Sequence, residues 1–316
     1  MKLFDRDGNG SEEITAAVGI ISNGITFDKW RPLLHLGVRD VVAIVGREPV
    51  EALARFYNRY EVPDDEFPQQ AVVPLRYLQQ AVAFFTWLKL IPTLDAQHGD
   101  AGRAKNLGEN EKGLTALQEF KDEENILRLA YEATDALVEA LDREAFPFWI
   151  ESPKYRQREG LLIRSKEEFD NYYIIGSHRL FVTLVPIIRE VQGATVAPVL
   201  GKYLAPILSG EDSDTFTLMK ATAARAVALL TMQKAVERLP VEVIPEGIVQ
   251  VQQSQPVKSR LRAEQSARAS VAASLGADAT RALEYLQQLV AQLDADGEEV
   301  DTSITGPIVH SKGMSF

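Results

Sequence analysis

The chain has 316 residues, 46% hydrophobic and 25% charged, with 20 Gly and 15 Pro, which is enough for about two average domains with real cores and is neither a disordered nor a fibrous composition. Zero cysteines exclude disulfides, zinc ribbons, iron–sulfur clusters and thiol catalysis together. With 34 Lys and Arg against 45 Asp and Glu, the net charge of −11 repels a phosphate backbone, so nucleic acid is disfavoured as a general partner and no sequence-specific binding of it is expected.

Met1-Lys-Leu-Phe-Asp5 leads straight into Asp/Gly-rich sequence, without the basic and then apolar stretch of a secretory signal, so synthesis in the cytoplasm is expected. Asp5-Arg-Asp7-Gly-Asn9-Gly10 copies the first half of an EF-hand loop, where alternating oxygens converge on calcium and Gly permits a sharp turn. Ala16 stands where a bidentate Glu is required, and only four residues precede the loop. Asp5, Asp7 and Asn9 are therefore weak calcium candidates, with Glu12 and Glu13 as further oxygens, and adventitious calcium is the one cofactor the sequence admits. The competing reading is a turn leading to a helix that Ser11 caps and whose positive end Glu12 and Glu13 complement.

From Thr26-Phe27-Asp28, apolar residues recur at three- and four-residue steps (Phe27, Trp30, Leu33, Leu34, Val38, Val41, Val42, Val45), which predicts one helix ending at Gly46 with Pro32 in its first turn. Further helices are predicted over 48–60, 69–91, 113–144, 166–173, 177–192, 196–208, 213–238, 258–274 and 278–294. Two hairpins are predicted. The stronger has alternating runs Val241-Glu-Val-Ile244 and Ile248-Val-Gln-Val251 around Pro245 and Gly247; the weaker spans 94–107 with Gly99 and Gly102 at its tip. Residues 294–316 are polar and aperiodic and read as an extended arm. The longest apolar runs, 81–90 and 221–232, are broken by Thr, Lys, Arg or Gln and fall short of the roughly 20 residues that span a bilayer, so no membrane partner is expected.

Internal similarity organises these elements. Ala81-Val-Ala-Phe-Phe-Thr-Trp-Leu-Lys89 shares five of nine residues with Ala226-Val-Ala-Leu-Leu-Thr-Met-Gln-Lys234, and Gly102 falls on Gly247 at the same offset of 145. Ala133-Thr-Asp-Ala-Leu137 matches Ala279-Thr-Arg-Ala-Leu283 at an offset of 146, and Val41-Val-Ala-Ile-Val-Gly46 resembles Val196-Ala-Pro-Val-Leu-Gly201 at 155. The predicted fold is mainly α, with two tandem pseudo-repeated helical units, each carrying a β-hairpin or extended loop between two long antiparallel helices. The implied boundaries are an N-terminal turn and short helix (1–24), unit one (25–144), an aromatic connector (145–176) holding Phe146-Pro-Phe-Trp149, unit two (177–294) and a C-terminal arm (295–316).

Chemistry-bearing patterns are sparse. The histidines (His35, His98, His178, His310) have no second His at helical metal spacing, and His178, after Ser177 at a helix start, reads as a capping or surface residue. No Gly-x-Ser-x-Gly elbow, phosphate loop or Rossmann glycine triplet occurs, so no catalytic or cofactor-binding residue is assigned. The acidic runs Glu109/Glu111, Asp122-Glu-Glu124 and Glu167/Glu168 read as solvated helix faces. The one cationic stretch, Lys258-Ser-Arg260-Leu-Arg262 with Arg268, suits an acidic neighbouring subunit, a nucleic-acid contact or simply a solvated helix start.

The centre of the chain resembles a family of tailed-phage and prophage proteins known largely from Bacteroidota genomes and mostly without assigned function. Phe84-Phe-Thr-Trp87 through Gly102, the helix over 122–141, Phe146-Pro-Phe-Trp149 with Ser152-x-x-Tyr155, and Phe169 through Gly176-Ser177, Phe181, Pro186 and Val196–Gly201 carry the resemblance. It implies a non-enzymatic virion structural protein, at the neck or head–tail connector, that forms a homo-oligomeric ring and meets other virion proteins such as the portal and tail-side neck proteins. Gly99, Gly102 and Arg103 in one hairpin, Pro245 and Gly247 in the other, Lys258, Arg260 and Arg262, and Phe316 in the arm are the interface candidates. A tail terminator or completion protein, and a soluble helical enzyme using acidic residues, are the alternative readings.

Overall fold

The computed structural model describes residues 1–19, 25–58, 69–99, 102–105, 114–211, 213–239 and 265–296. They are mainly helical and divide into two compact units. One holds the described residues of Met1–Arg156 with Ser177–Val182; the other holds those of Gln157–Gly176, Thr183–Gln253 and Leu261–Phe316.

The first unit opens with a 3-10 turn (Arg6–Gly8), followed by α1 (Gly10–Val18), α2 (Phe27–Trp30), α3 (Leu34–Val45) and α4 (Arg47–Asn58). The single helix predicted from Thr26 to Gly46 is thus two. Continuing α2 would place Pro32 beyond its first turn, where the ring clashes with the preceding carbonyls, so the chain turns and restarts at Leu34. Gly46, at φ 99°, ends α3 in a backbone conformation that L side chains rarely adopt. Residues 1–24, expected to stand apart, are built into this unit. Leu3, Phe4, Ile14 and Ala17 are buried in its core, and the Leu3 carbonyl accepts a hydrogen bond from Gln79 Nε2.

α5 (Val72–Asp95) follows the 3-10 turn Gln69–Ala71 and passes through Pro92 beyond the predicted end at 91, because a proline so near the terminus disturbs only the last turn. Its two faces hold α3 and α6 (Ala116–Glu144). Trp30 meets Trp87 edge-on at 5.6 Å, Phe85 meets Tyr131 at 5.7 Å, and Lys89 pairs with Asp40. α6 starts at a reciprocal capping box in which Thr115 Oγ1 accepts the Gln118 N–H and the Gln118 side chain accepts the Thr115 N–H. Directly after α5, β1 (Ala96–Gly99) pairs antiparallel with β2 (Gly102–Lys105), with Gly99 opposite Gly102 and Ala96 opposite Lys105.

The aromatic connector divides rather than linking as one piece. Residues 145–156, including α7 (Pro147–Ile150) and α8 (Pro153–Arg156), belong to the first unit, and 157–176 to the second. Trp149 is fully buried and Phe146 stacks on Phe148 at 4.9 Å, while Phe148 reaches Phe56 of α4. Four aromatics in and around the segment find partners in the first unit, which is why the boundary falls after them.

The second unit contains α9 (Lys166–Asp170), most of α10 (His178–Val191), a π-helical turn (Gln192–Val196), α11 (Ala197–Leu200), a 3-10 turn (Gly201–Tyr203) and α12 (Leu204–Ser209). The helix predicted over 196–208 is broken at Gly201, whose φ of 51° ends α11, with Pro198 and Pro206 in the first turns of α11 and α12, and Gln192 makes use of the irregular backbone before them. Its buried side chain accepts the Leu162 N–H and donates to the Gly160 carbonyl, both at 2.7 Å, holding the 157–163 loop. His178–Ser209 is, among the described residues, the one stretch long and apolar enough to cross a membrane. The two runs weighed in the sequence missed it, and more than half of its apolar window is buried inside the protein.

α13 (Asp214–Arg238) and α14 (Gln265–Asp296) are the principal helix pair of this unit. Arg268, at the start of α14, reaches the last turn of α13, so the two run antiparallel. The helices predicted over 258–274 and 278–294 are one from Gln265 onward, residues 258–264 lying outside the described residues. Gly276 lies in the middle of α14, where a Cβ would come 3.0 Å from Gln233 Nε2 of α13. α14 also extends to Asp296, past the predicted start of the arm at 295; residues 297–316 and the hairpin predicted around Pro245 and Gly247 lie outside the described residues.

Candidate assembly surface

Asp5, Asp7 and Asn9 do not converge on a cation. Asp5 and Asp7 adopt left-handed backbone (φ 72° and 55°), the Asp5 carboxylate lies 3.6 Å from Arg31, and Glu13 folds back onto the loop. The Glu13 carboxylate accepts the N–H groups of Asp5 and Arg6 and the Tyr57 hydroxyl at 2.6 Å, so its oxygens are spent on the turn. Burial first, and then Glu13, raises the Tyr57 hydroxyl above the ordinary tyrosine range and keeps it protonated as that donor. Ser11 is not the cap either. Asn9 holds that position, and Ser11 Oγ accepts the Phe27 N–H from α2. Among the described residues no group of three His, Asp or Glu could hold a metal ion.

A second polar network, which the sequence did not assemble, joins α6 to the start of α10. Ser177 Oγ accepts the Leu180 N–H and donates to Asp135 Oδ1, which also accepts the Arg179 N–H at 2.7 Å. Asp135 thus lends a carboxylate to the positive end of α10. The Arg179 guanidinium lies 4.1 Å above the Tyr131 ring, and burial lowers its pKa against the opposing pull of Tyr131 and Asp135. Two turns further along α6, Asp142 accepts the Trp149 Nε1–H at 2.8 Å and sits 3.9 Å from His178 Nδ1. Serine, histidine and carboxylates meet here, yet the Ser177 hydroxyl already donates to Asp135 and accepts a cap bond. The network fastens a helix terminus. The capping or surface role read for His178 belongs instead to Ser177, while His178 is half-buried beside Asp142; Asp135 is 42 residues from Ser177 and Asp142 is 36 from His178, and nothing local marks either.

The remaining candidates separate by role. His35 is exposed on α3. Glu168 of α9 donates its N–H to Ser165 Oγ, the cap, and its carboxylate accepts the Arg164 N–H, so Glu168 serves a helix start. Asp122 and Glu123 are exposed on α6, whereas Glu109, Glu111 and His310 lie outside the described residues. Glu190 is pulled down to about 2 by Arg238 and then Lys234, in an exposed pairing of α10 with α13. Arg268 is not available to a partner. Its guanidinium donates to the Val236 and Leu239 carbonyls, a cation at the negative end of α13. Arg268→Ala is expected to cost about 1–3 kcal/mol, read as a lower urea midpoint at unchanged slope.

Lys258, Arg260, Arg262 and Phe316 lie outside the described residues, as do Pro245 and Gly247. Gly99, Gly102 and Arg103 do belong to a described element, the β1–β2 hairpin, where Gly99 and Gly102 form the last pair and Arg103 is in backbone register with His98. The hairpin begins at the residue after α5 ends, so the helix aims it, and its two strands pair only with each other among the described residues.

These features define a mainly helical protein with a prominent long-helix pair in each unit and a two-stranded ribbon issuing from one of them. Its family follows from the sequence match: the model of a family of unknown function, DUF6712, matches residues 62–159 and 195–299, and the chain belongs to that family. No curated protein and no solved structure matches it.

Proposed function

We propose that the chain is a non-enzymatic structural subunit of a tailed-phage virion, a neck or head–tail connector (adaptor) protein that assembles into a ring and contacts neighbouring virion proteins. The observation that carries this reading is the β1–β2 ribbon. Two four-residue strands with no further strand beside them among the described residues are marginal in water, and such open edges are templates for another chain. A subunit interface supplies what the ribbon lacks. The resemblance of the central aromatic and glycine landmarks to phage structural proteins supports the virion setting.

A duplicated helical unit accompanies the proposal. The two stretches matched by the family model contain α5 with α6 and α13 with α14, and the repeated residues occupy equivalent burial states. Ala81, Val82, Ala83 and Thr86 are fully buried in α5, as are Ala226, Val227, Ala228 and Thr231 in α13. The second half of the repeat is looser, since Thr134 is buried whereas Thr280 is exposed.

The test is the size of the purified full chain by mass photometry, with negative-stain microscopy of the larger species. Closed rings are expected. Replacing residues 96–105 by a short Gly-Ser loop is expected to abolish them while leaving the helical circular-dichroism signal and melting midpoint in place. A wild-type chain that stays monomeric at micromolar concentration, or rings that survive the excision, would overturn the reading.

A further inference from the structure

We propose that the last turns of α14 are a releasable end, held by a clasp of Lys202 and Tyr203 on Asp294 and freed when that clasp opens; the inference concerns the single chain and holds whether or not rings form. Leu289 is the last buried side chain of α14 among the described residues. Beyond it Val290 and Leu293 are half-buried, and Ala291, Gln292, Asp294 and Ala295 are exposed. The sequence there works against a helix end. Asp294 lies in the final turn, where unpaired carbonyls make the terminus negative, and α14 has no basic residue in that turn to offset it.

The compensation comes from another element. Gly201, at φ 51°, ends α11 and opens the 3-10 turn Gly201–Tyr203, which presents two side chains to one carboxylate. Asp294 Oδ1 lies 2.7 Å from Lys202 Nζ and accepts the Tyr203 hydroxyl at 2.7 Å. The Lys202 ammonium also stands 5.0 Å from the centre of the Tyr203 ring, and that ring lies 6.2 Å from Phe216 of α13, which anchors the turn. Lys202, and then Tyr203, hold the Asp294 carboxyl below the usual carboxylate range, and Asp294 raises the Lys202 ammonium in return. A carboxylate that would otherwise fray the helix becomes the point by which it is fastened. Terminal turns open at low free energy, and an exposed ion pair is itself weak and screened by salt, so the clasp can close this end and can also release it. Its state sets where the chain leaves the helix past Asp296.

Amide hydrogen exchange of the full-length chain, read over residues 290–296 with α13 as the internal reference, tests this. Lys202→Ala is expected to speed exchange there on the order of threefold to tenfold, with α13 and the melting midpoint unchanged, and Lys202→Arg to preserve protection. The sign of Asp294→Asn separates a clasp from ordinary fraying. It should speed exchange in the wild-type background. In a chain carrying Lys202→Ala and Tyr203→Phe, where the carboxylate has lost both donors and only opposes the helix end, it should slow exchange or leave it unchanged. Raising salt to roughly 1 M should speed exchange in the wild type and do little in the chain that carries all three substitutions. Exchange as slow in Lys202→Ala as in the wild type would overturn the clasp. So would a further loss of protection on adding Asp294→Asn to the other two, since Asp294 would then support the helix end through some other contact.

Discussion

Trp149→Ala is expected to lower the stability of the first unit by about 3–5 kcal/mol, the range for emptying a fully buried large aromatic site. The ring has no exposed surface, meets Tyr155 edge-on at 5.7 Å and belongs to the core that also contains Phe146. Its removal opens a void and also takes the Nε1–H from Asp142, whose side chain is only 20% exposed, so a carboxylate loses that donor. Against the roughly 5–15 kcal/mol that holds a typical domain folded, this is a large fraction. Urea unfolding followed by helical circular dichroism should show the midpoint fall sharply. Trp149→Phe, which keeps most of the volume and loses the hydrogen bond, should cost only about 1–3 kcal/mol. If both variants unfold with the wild type, Trp149 is not the anchor described here. The pair also guards the functional tests: Trp149→Ala should lose assembly because the subunit unfolds, whereas hairpin variants should lose it with the subunit folded.

The long helices were legible because each carries its own evidence. The periodic apolar residues around Trp30 and Val45 and the aromatic run ending at Trp149 are local signals, and each helix over 48–60, 69–91, 113–144 and 213–238 lies close to its predicted place. Errors arose where a local signal was outweighed by packing. Gly276 reads as a helix break, yet the contact between α13 and α14 carries the helix through it, since a glycine costs only about 1 kcal/mol in a helix interior. The Asp5–Gly10 loop reads as calcium ligands because oxygen spacing is all the sequence displays; that Glu13 would be taken by backbone N–H groups and by Tyr57, 44 residues on, is a tertiary fact. Arg268 reads as part of a basic patch and is a cap, for the same reason. The pairing of 96–99 with 102–105 falls within the span that Gly99 and Gly102 mark in the sequence.

Gly37→Ala should destabilise the protein, although replacing a helical glycine by alanine ordinarily gains about 1 kcal/mol. Gly37 lies in α3 where it crosses α5, and a Cβ there would stand 2.5 Å from the Val82 carbonyl oxygen and 3.1 Å from the Thr86 backbone nitrogen, with Thr86 Oγ1 also in its way. Thr86 Oγ1 could be displaced, at the loss of its 2.6 Å bond to the Val82 carbonyl, but the carbonyl itself belongs to the α5 helix and cannot rotate aside. The helices must therefore part, which strains a contact that also includes the Lys89–Asp40 pair and the Trp30–Trp87 rings. Overpacking of this kind costs about 1–3 kcal/mol, enough to reverse the propensity gain, and Gly37→Val should be worse. Gly276→Ala is the matched control, since the atoms nearest its new Cβ belong to the Gln233 side-chain end, which can swing away. That variant should be neutral or more stable. Thr86→Ala should rescue Gly37→Ala only in part, because it frees the hydroxyl's space and leaves the carbonyl. Thermal melts of the four chains decide the matter: a Gly37→Ala midpoint at or above wild type would mean that α3 and α5 do not approach this closely, and full rescue by Thr86→Ala would mean that the side chain, not the backbone, sets the limit.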